Sequence, residues 1–484
     1  MSVLHAPAVA AGLKEKPVVS WQRLLSFPVM LSALLAFLTF HTCSPRFDDP
    51  DLWWHLRTGD KILSEKSIPR IDSYSFTAAG NHWVAQEWLA ETVLAITQQG
   101  GGSEALFTLF AVTASAIVIL GYCLCSLWSG NPKTALLGGV IVLFFLTAGL
   151  TIRPALFGFL FIEFELLVLY DWLYSRGRHV WLLPVLMAVW VNTHASFFFG
   201  MALLFLAAIF QIKRGQIRQS ILICTLTLAA ACINPQGPVM LLYPLEVMFR
   251  QPDNLGNIQE WAPLSLAEPR AWAWMAVLLF LGTAQVRGWI RLHTVEWLLI
   301  GIGVAMSVQH VRMLPIFGML SAPVVCRVIA GWWEQYAPEK DQPLMNALLI
   351  AAALWFCTLL QPTTGEIESA IAANEPVAAV SAIRRLGLTG PLLNDYIWGG
   401  YLIWALPEHK VFIDGRADLY APLGIMREFG RWVMLEEDPA LLLERRKIRT
   451  ILVRQSAPVA RVLRYMPGWT LAYEDEMAAV FQKS

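Results

Sequence analysis

The chain has 484 residues, 56% of them hydrophobic and only 15% charged, with a mean hydropathy of +0.53. Soluble domains carry about 25% charged residues, so the composition argues against a soluble protein and for a polytopic α-helical membrane protein. The formal net charge is +0, which marks no particular partner, and no nucleic-acid partner is expected. Most of the seven cysteines sit in apolar runs without metal-ligand spacing and read as small buried hydrophobes, not as a disulfide framework.

Residues 1–24 contain Lys14 and Lys16 but no apolar core with a cleavage site, so they read as a cytoplasmic tail before an uncleaved anchor. A helical span needs about 20 residues, and about eleven apolar runs approach that length. They are 25–42, 104–127, 133–150, 155–174, 180–193, 195–212, 219–233, 271–286, 293–310, 312–330 and 344–361. The pair 180–193 and 195–212 reads as two short spans or as one long kinked helix. The short connectors SRGRH, IKRGQIR and VRGWIR are basic, and the positive-inside rule assigns them to the cytoplasm together with the N-terminus. The loop 43–103, the TIRP turn, the loop 234–270 and the tail then lie outside. Residues 25–361 are expected to form the transmembrane domain, and 362–484 a small extracytoplasmic α/β domain. In that tail the strand-length runs GPLLN, KVFID, RTILVR and MAAVFQ alternate with helical patterns at 375–387, 397–406, 424–434 and 438–447. That alternation predicts a largely parallel sheet.

The first loop is the densest in chemistry. Between Asp48 and Glu91 it holds Trp53, Trp54, Trp83 and Trp88 with acids, histidines and basic residues. Asp48, Asp49 and Asp51 repel one another, which suits a base or a cation site; Asp48 and Asp49 also suit a helix N-terminus. If DLWWHLRTGDKIL is helical, Asp51 and His55 share a face, and any divalent metal would fall to these two. The tryptophans suit an interfacial belt. Arg57, Lys61 and Arg70 could meet a phosphate. His82, Gln86 and Glu87 open an amphipathic helix, where capping is the default role.

Further along, Arg153 stands at the outer end of a span, with Glu163 about 15 Å deeper and Glu165 on another face. Asn192, Thr193 and His194 form one polar island, His310 and Arg312 another, and Glu260 follows Asn234 in the 234–270 loop. All but the two glutamates, which fall within the span, map to the outer face. In the tail, NDYIWGGYLIW supplies Asp395, Gly399 and Gly400, and VFIDGRADLY supplies Asp414 and Asp418 after a strand. An Asp414–Arg416 pairing is the plainer reading of the latter.

These motifs carry a resemblance. DPDLWWHLRTGDKILSEKSIPRIDSYSFTAAG is similar to the first loop of GT-C superfamily glycosyltransferases of the aminoarabinose and protein mannosyl transferase type. The set DPDLWWHLRTG, WVNTHASFFFGM, INPQG, NDYIWGGYLIW and VFIDGRADLY resembles a bacterial family of multi-pass membrane proteins, and NDYIWGGY resembles the oligosaccharyltransferase motif WWDYG without its leading Trp pair. The resemblance implies a GT-C-like bundle in the bacterial inner membrane and inverting sugar transfer from a polyprenyl-phosphate donor to a glycan, lipid or protein acceptor of the cell envelope. It makes Asp51 the general base, with Arg57, Arg153, His194 and Arg312 for substrate phosphate. Asp49, His55, His82, Glu87, Glu163, Glu260, His310, Asp395 and Asp414 are further candidates. TIRPA holds no acid where many such transferases place a second one, which disfavours a bridging metal; no other cofactor is implied. The alternative is a non-catalytic transporter or envelope-assembly factor.

Overall fold

The computed structural model describes residues 23–43, 45–250 and 262–484. Glu260 lies outside them. Each apolar run folds as a helix. Helix α1 (Phe27–Thr42) leads into the first loop, which contains α2 (Leu52–Glu65). Helix α3 (Trp88–Ser129) starts in that loop and breaks at Gly101 and Gly102; Gly102 has φ +65°, a left-handed geometry that costs a glycine little. Then follow α4 (Pro132–Leu146), α5 (Ala155–Tyr174), α6 (Leu182–Trp190), α7 (Phe197–Lys213), α8 (Ile217–Ala231) and, in the next loop, α9 (Tyr243–Arg250). Helices α10 (Pro269–Val286), α11 (Thr294–Gln309), α12 (Leu314–Ala330) and α13 (Pro343–Leu359) complete the apolar part. Residues 180–212 are therefore two helices, not one.

Among the described residues, only Trp88–Ser129 and Val311–Ala330 are long and apolar enough to cross a membrane by themselves, and α13 joined to its bent continuation adds a third. This falls short of the expected eleven for a physical reason. Helices α1, α4, α7, α8 and α11 are apolar but of 10–17 residues, and a helix of 16 residues spans about 24 Å against about 30 Å of hydrocarbon. Helix α12 is the axis of the bundle: nearly every residue is buried, and it packs on α3, α4 and α11.

The C-terminal unit comprises α14 (Thr364–Asn374), α15 (Val377–Arg385), β1 (Leu392–Asn394), α16 (Gly399–Ala405), α17 (Ala417–Tyr420), α18 (Ile425–Val433), α19 (Pro439–Arg445), β2 (Thr450–Arg454), α20 (Pro458–Leu463), β3 (Trp469–Glu474) and β4 (Ala478–Lys483). The sheet order is β1-β2-β4-β3; β1 and β2 are parallel, whereas β4 runs antiparallel to both its neighbours. The sheet is thus mixed, not largely parallel. KVFID is no strand. Its backbone is satisfied by side chains and by the first loop: Asn394 takes the N–H of Phe412 and donates to the carbonyl of Ile413, while Val411 exchanges bonds with Tyr74 and Phe76.

That exchange joins the first loop to the C-terminal unit. Trp53 packs its ring 5.2 Å from Tyr401 and 4.9 Å from Trp404, and its indole N–H donates to Glu375 at 2.8 Å. Trp53, Trp54 and Trp83 are core residues here, not members of an exposed aromatic belt. Gly400 is needed for the docking, because a Cβ there would lie 2.2 Å from the carbonyl oxygen of Pro50.

Candidate functional site

The turn Asp49-Pro50-Asp51 enters α2. Asp49 Oδ1 accepts the Asp51 N–H at 2.9 Å, and Asp49 Oδ2 lies 3.3 Å from Nε of Arg153, which comes from the TIRP turn before α5. Asp49 therefore fixes the turn and anchors Arg153. The Asp51 carboxylate accepts the indole N–H of Trp54 at 3.0 Å. It also rests on the C-terminal unit: a Cβ on Gly415 would stand 1.8 Å from Asp51 Oδ1. A Gly415→Ala substitution must therefore move the loop or the carboxylate. It is expected to cost about 1–3 kcal/mol by overpacking, readable as a lower melting temperature; unchanged stability would mean that Gly415 does not seat on Asp51.

His55 does share the helix with Asp51, but its ring turns elsewhere. Nδ1 is 3.1 Å from Glu91 Oε1, and Nε2 is 3.6 Å from Glu87 Oε2. Asp51 and His55 are thus not a ligand pair, and among the described residues no three His, Cys, Asp or Glu side chains are set to hold a metal ion. Glu87 precedes α3, and its other oxygen, Oε1, is 3.5 Å from Nε2 of His194. Asn192, beside His194, accepts the indole N–H of Trp88 at 2.8 Å, which ties the start of α3 to the polar island between α6 and α7.

Electrostatics identify what else surrounds Glu87. Burial and then the Asp51 charge push its carboxyl up, against Arg153 and Arg312, to about 8; Asp418 adds to the rise. Burial, Arg312 and Arg153 hold the His194 imidazole down at about 3, and burial with Arg153 and His194 lowers His55 well below its ordinary value. Glu87, His55 and His194 thus lie side by side, with Asp51, Arg153 and Arg312 near enough for their charges to bear on them, and Asp49 holds Arg153. Asp418 closes this cluster from the C-terminal unit, accepting the Tyr243 hydroxyl of α9 at 2.6 Å.

Other candidates lie elsewhere. Arg57 lies on α2, where its charge bears on the Tyr74 hydroxyl. His82 is exposed, in a backbone bridge with Ile71. His310 is half-buried at the C-terminal end of α11. Asp395 begins the turn before α16 and pairs with Arg454 at 2.8 Å. Glu163 and Glu165 are buried on α5, packed against Gly121 and Gly200 respectively.

Asp414 belongs to a buried knot beneath the site. Arg416 donates to both its oxygens, at 2.7 and 2.6 Å, and lies 2.8 Å from Asp72 of the first loop. The Tyr420 hydroxyl also donates to Asp414. The Arg416 guanidinium sits 4.7 Å from the Trp83 ring and 5.0 Å from the Tyr74 ring. The knot holds Gly415 against Asp51. Asp72, Glu91 and Tyr243 are participants that the sequence reading missed. For Glu91 a signal existed: two acids at i and i+4 with Glu87 repel on a helix face unless something lies between them, and here His55 does.

No protein-family model matches the chain, and no curated protein matches its sequence. Solved structures do match its fold. The archaeal oligosaccharyltransferase AglB from Archaeoglobus fulgidus, in complex with an inhibitory peptide and a dolichol-phosphate, superposes with a TM-score of 0.51 at 11% identity, covering 90% of this chain and 69% of its own. ArnT from Cupriavidus metallidurans bound to undecaprenyl phosphate gives a TM-score of 0.49 at 14% identity, covering 94% and 97%. Both neighbours are GT-C glycosyltransferases, and the AglB likeness establishes that this chain has a similar fold.

Proposed function

We propose that this chain is a glycosyltransferase of the outer membrane face that moves a sugar from a polyprenyl-phosphate donor to an acceptor hydroxyl. Asp51 takes the acceptor's proton as general base, and the anomeric centre inverts. Arg153 and Arg312 meet the donor phosphate with charge-assisted bonds. The orientation follows from the basic connectors: the N-terminus is cytoplasmic, and the first loop and residues 362–484 face outward. The observation that carries the reading is the convergence of an acid, two arginines and two histidines from four segments of the chain, capped by the C-terminal unit. The fold supports it, since AglB was solved with a dolichol-phosphate.

The test is binding of undecaprenyl phosphate to the full-length protein in detergent, with undecaprenol as the control lacking the phosphate. The phosphate form is expected to raise the melting temperature and the alcohol is not. Arg312→Ala should weaken binding about 10- to 150-fold, the equivalent of about 1.5–3 kcal/mol for a bond to a charged group. Equal response to both lipids would remove the phosphate from the recognised chemistry and sink the proposal.

A further inference from the structure

A chain of alternating carboxyls and imidazoles ends in the site. Glu91 faces His55 at 3.1 Å, His55 faces Glu87 at 3.6 Å, and Glu87 faces His194 at 3.5 Å. Its far end is locked. The Ser196 backbone N–H donates to His194 Nδ1 at 3.1 Å, so in the neutral ring Nε2 carries the hydrogen that points at Glu87. Trp190 in turn holds the Ser196 hydroxyl at 2.9 Å. At the near end His55 is 3% and Glu91 0% exposed, whereas Glu87 is 23% exposed. His194 is 18% exposed, so Glu87 and His194 are the two members that open toward a substrate, and Glu87, with an imidazole on either side, is the carboxyl of that pair.

We propose that Glu87 is the acid of this site, its carboxyl O–H donating to the donor's phosphate oxygen as the sugar departs. The role rests on the transferase reading above. The acceptor oxygen bonds to the anomeric carbon as the bond from that carbon to the phosphate oxygen breaks. Asp51 receives the acceptor's proton, and Glu87 gives its own to the departing phosphate. Asp51 then passes the acceptor's proton to Glu87, which resets both groups, so over a full turnover the acceptor loses one proton and the lipid phosphate gains one. His55 and His194 are positioning residues.

Every charge around Glu87 bears on this. Asp51 ahead of α2 and Asp418 of α17 favour the protonated carboxyl; Arg153 ahead of α5 and Arg312 ahead of α12 oppose it; burial decides in favour, at about 8. Glu91 of α3 is a further acid beside it, Tyr243 of α9 lies within its field, and the two histidines are neutral. An acid near the working pH is the condition for efficient general acid catalysis.

Two measurements on the full-length protein in lipid nanodiscs test the role. The first needs no activity: a hydrophobic carbodiimide, which modifies protonated carboxyls, should label Glu87 at neutral pH, read by mass spectrometry, and lose it as the pH rises through about 8. A Glu87 that is unlabelled at neutral pH while other buried acids react overturns the proposal, whatever the protein transfers. The second is kcat against pH with a polyprenyl-phosphate sugar. The wild type should fall above about pH 8, and Glu87→Gln should lose about 10²–10⁴-fold in kcat, with donor KM within a few-fold and no alkaline limb. Glu87→Asp should restore the limb. An alkaline limb that persists in Glu87→Gln overturns the role while leaving the transferase reading intact. If Glu87 labels as expected but the wild type transfers no such sugar, the transferase reading falls and takes this role with it.

Discussion

Replacing Asp51 by asparagine is expected to lower sugar transfer by about 10²–10⁴-fold, the range a positioned acid–base group contributes, without unfolding the protein. Asparagine keeps the shape and an Oδ1 that can still accept the Trp54 indole N–H, now at 3.0 Å, and it adds no atom toward Gly415. What it removes is the capacity to take a proton. The loss should therefore appear in kcat, with the melting temperature of the variant near that of the wild type and undecaprenyl phosphate still bound. Asp49→Asn makes the contrast. Asp49 anchors Arg153 and the Asp51 N–H, so its loss should appear mainly in donor KM. Full transfer by Asp51→Asn would remove Asp51 from the mechanism.

The difference between these two aspartates illustrates what the sequence reveals and what it hides. Local signals were legible. Each long apolar run is a helix, α2 and the loop-side start of α3 follow their amphipathic patterns, and the four helical patterns at 375–447 fall on α15, α16, α18 and α19. KVFID reads as a strand because Val411, Phe412 and Ile413 are buried apolar residues, yet burial alone does not supply a ladder. Asn394 and the first loop take its hydrogen bonds, and no one-dimensional pattern records that. Strand β3 escapes for the opposite reason: WTLAYE is mostly open on both faces and so lacks the alternation that would announce it. Membrane crossing is legible as hydropathy but not as a count, since turns and caps trim several runs below crossing length.

The site shows the same division on a larger scale. Topology puts Asp51, Arg153, His194 and Arg312 on one face, and in the structure they act on a common residue, Glu87. Which side chain lies at the centre was not legible, because Glu87 owes its environment to six other segments of chain. Nor was the role of Arg416. As a neighbour of Asp414 it reads as turn chemistry, and half of that holds; the other half is Asp72, more than three hundred positions away in the first loop.

That distant partner makes Arg416 the substitution with the largest expected structural effect. Arg416→Met keeps much of the side-chain volume and removes the cation shared by Asp72 and Asp414, whose side chains are both 0% exposed. Breaking a buried ion pair from one side costs about 3–5 kcal/mol, so urea or thermal unfolding should report a loss of that order. Its pH dependence has a definite sign. Burial pushes the Asp72 carboxyl up, but Arg416, the Ser75 hydroxyl and the Tyr74 N–H outweigh it and hold the group below its ordinary value. A carboxyl depressed in the folded state lends stability above its unfolded value, near 4, and loses it as the pH falls through the folded value. Without Arg416 only burial and the hydrogen bonds remain, and the ionised form is no longer favoured by a cation. The gap between wild type and variant should therefore be widest at neutral pH and narrow as Asp72 takes up its proton toward acid pH. Because the knot seats Gly415 on Asp51, the variant should also lose transfer even at temperatures where it stays folded. A variant whose stability gap is flat from neutral to acid pH would show that Arg416 contributes packing and not charge.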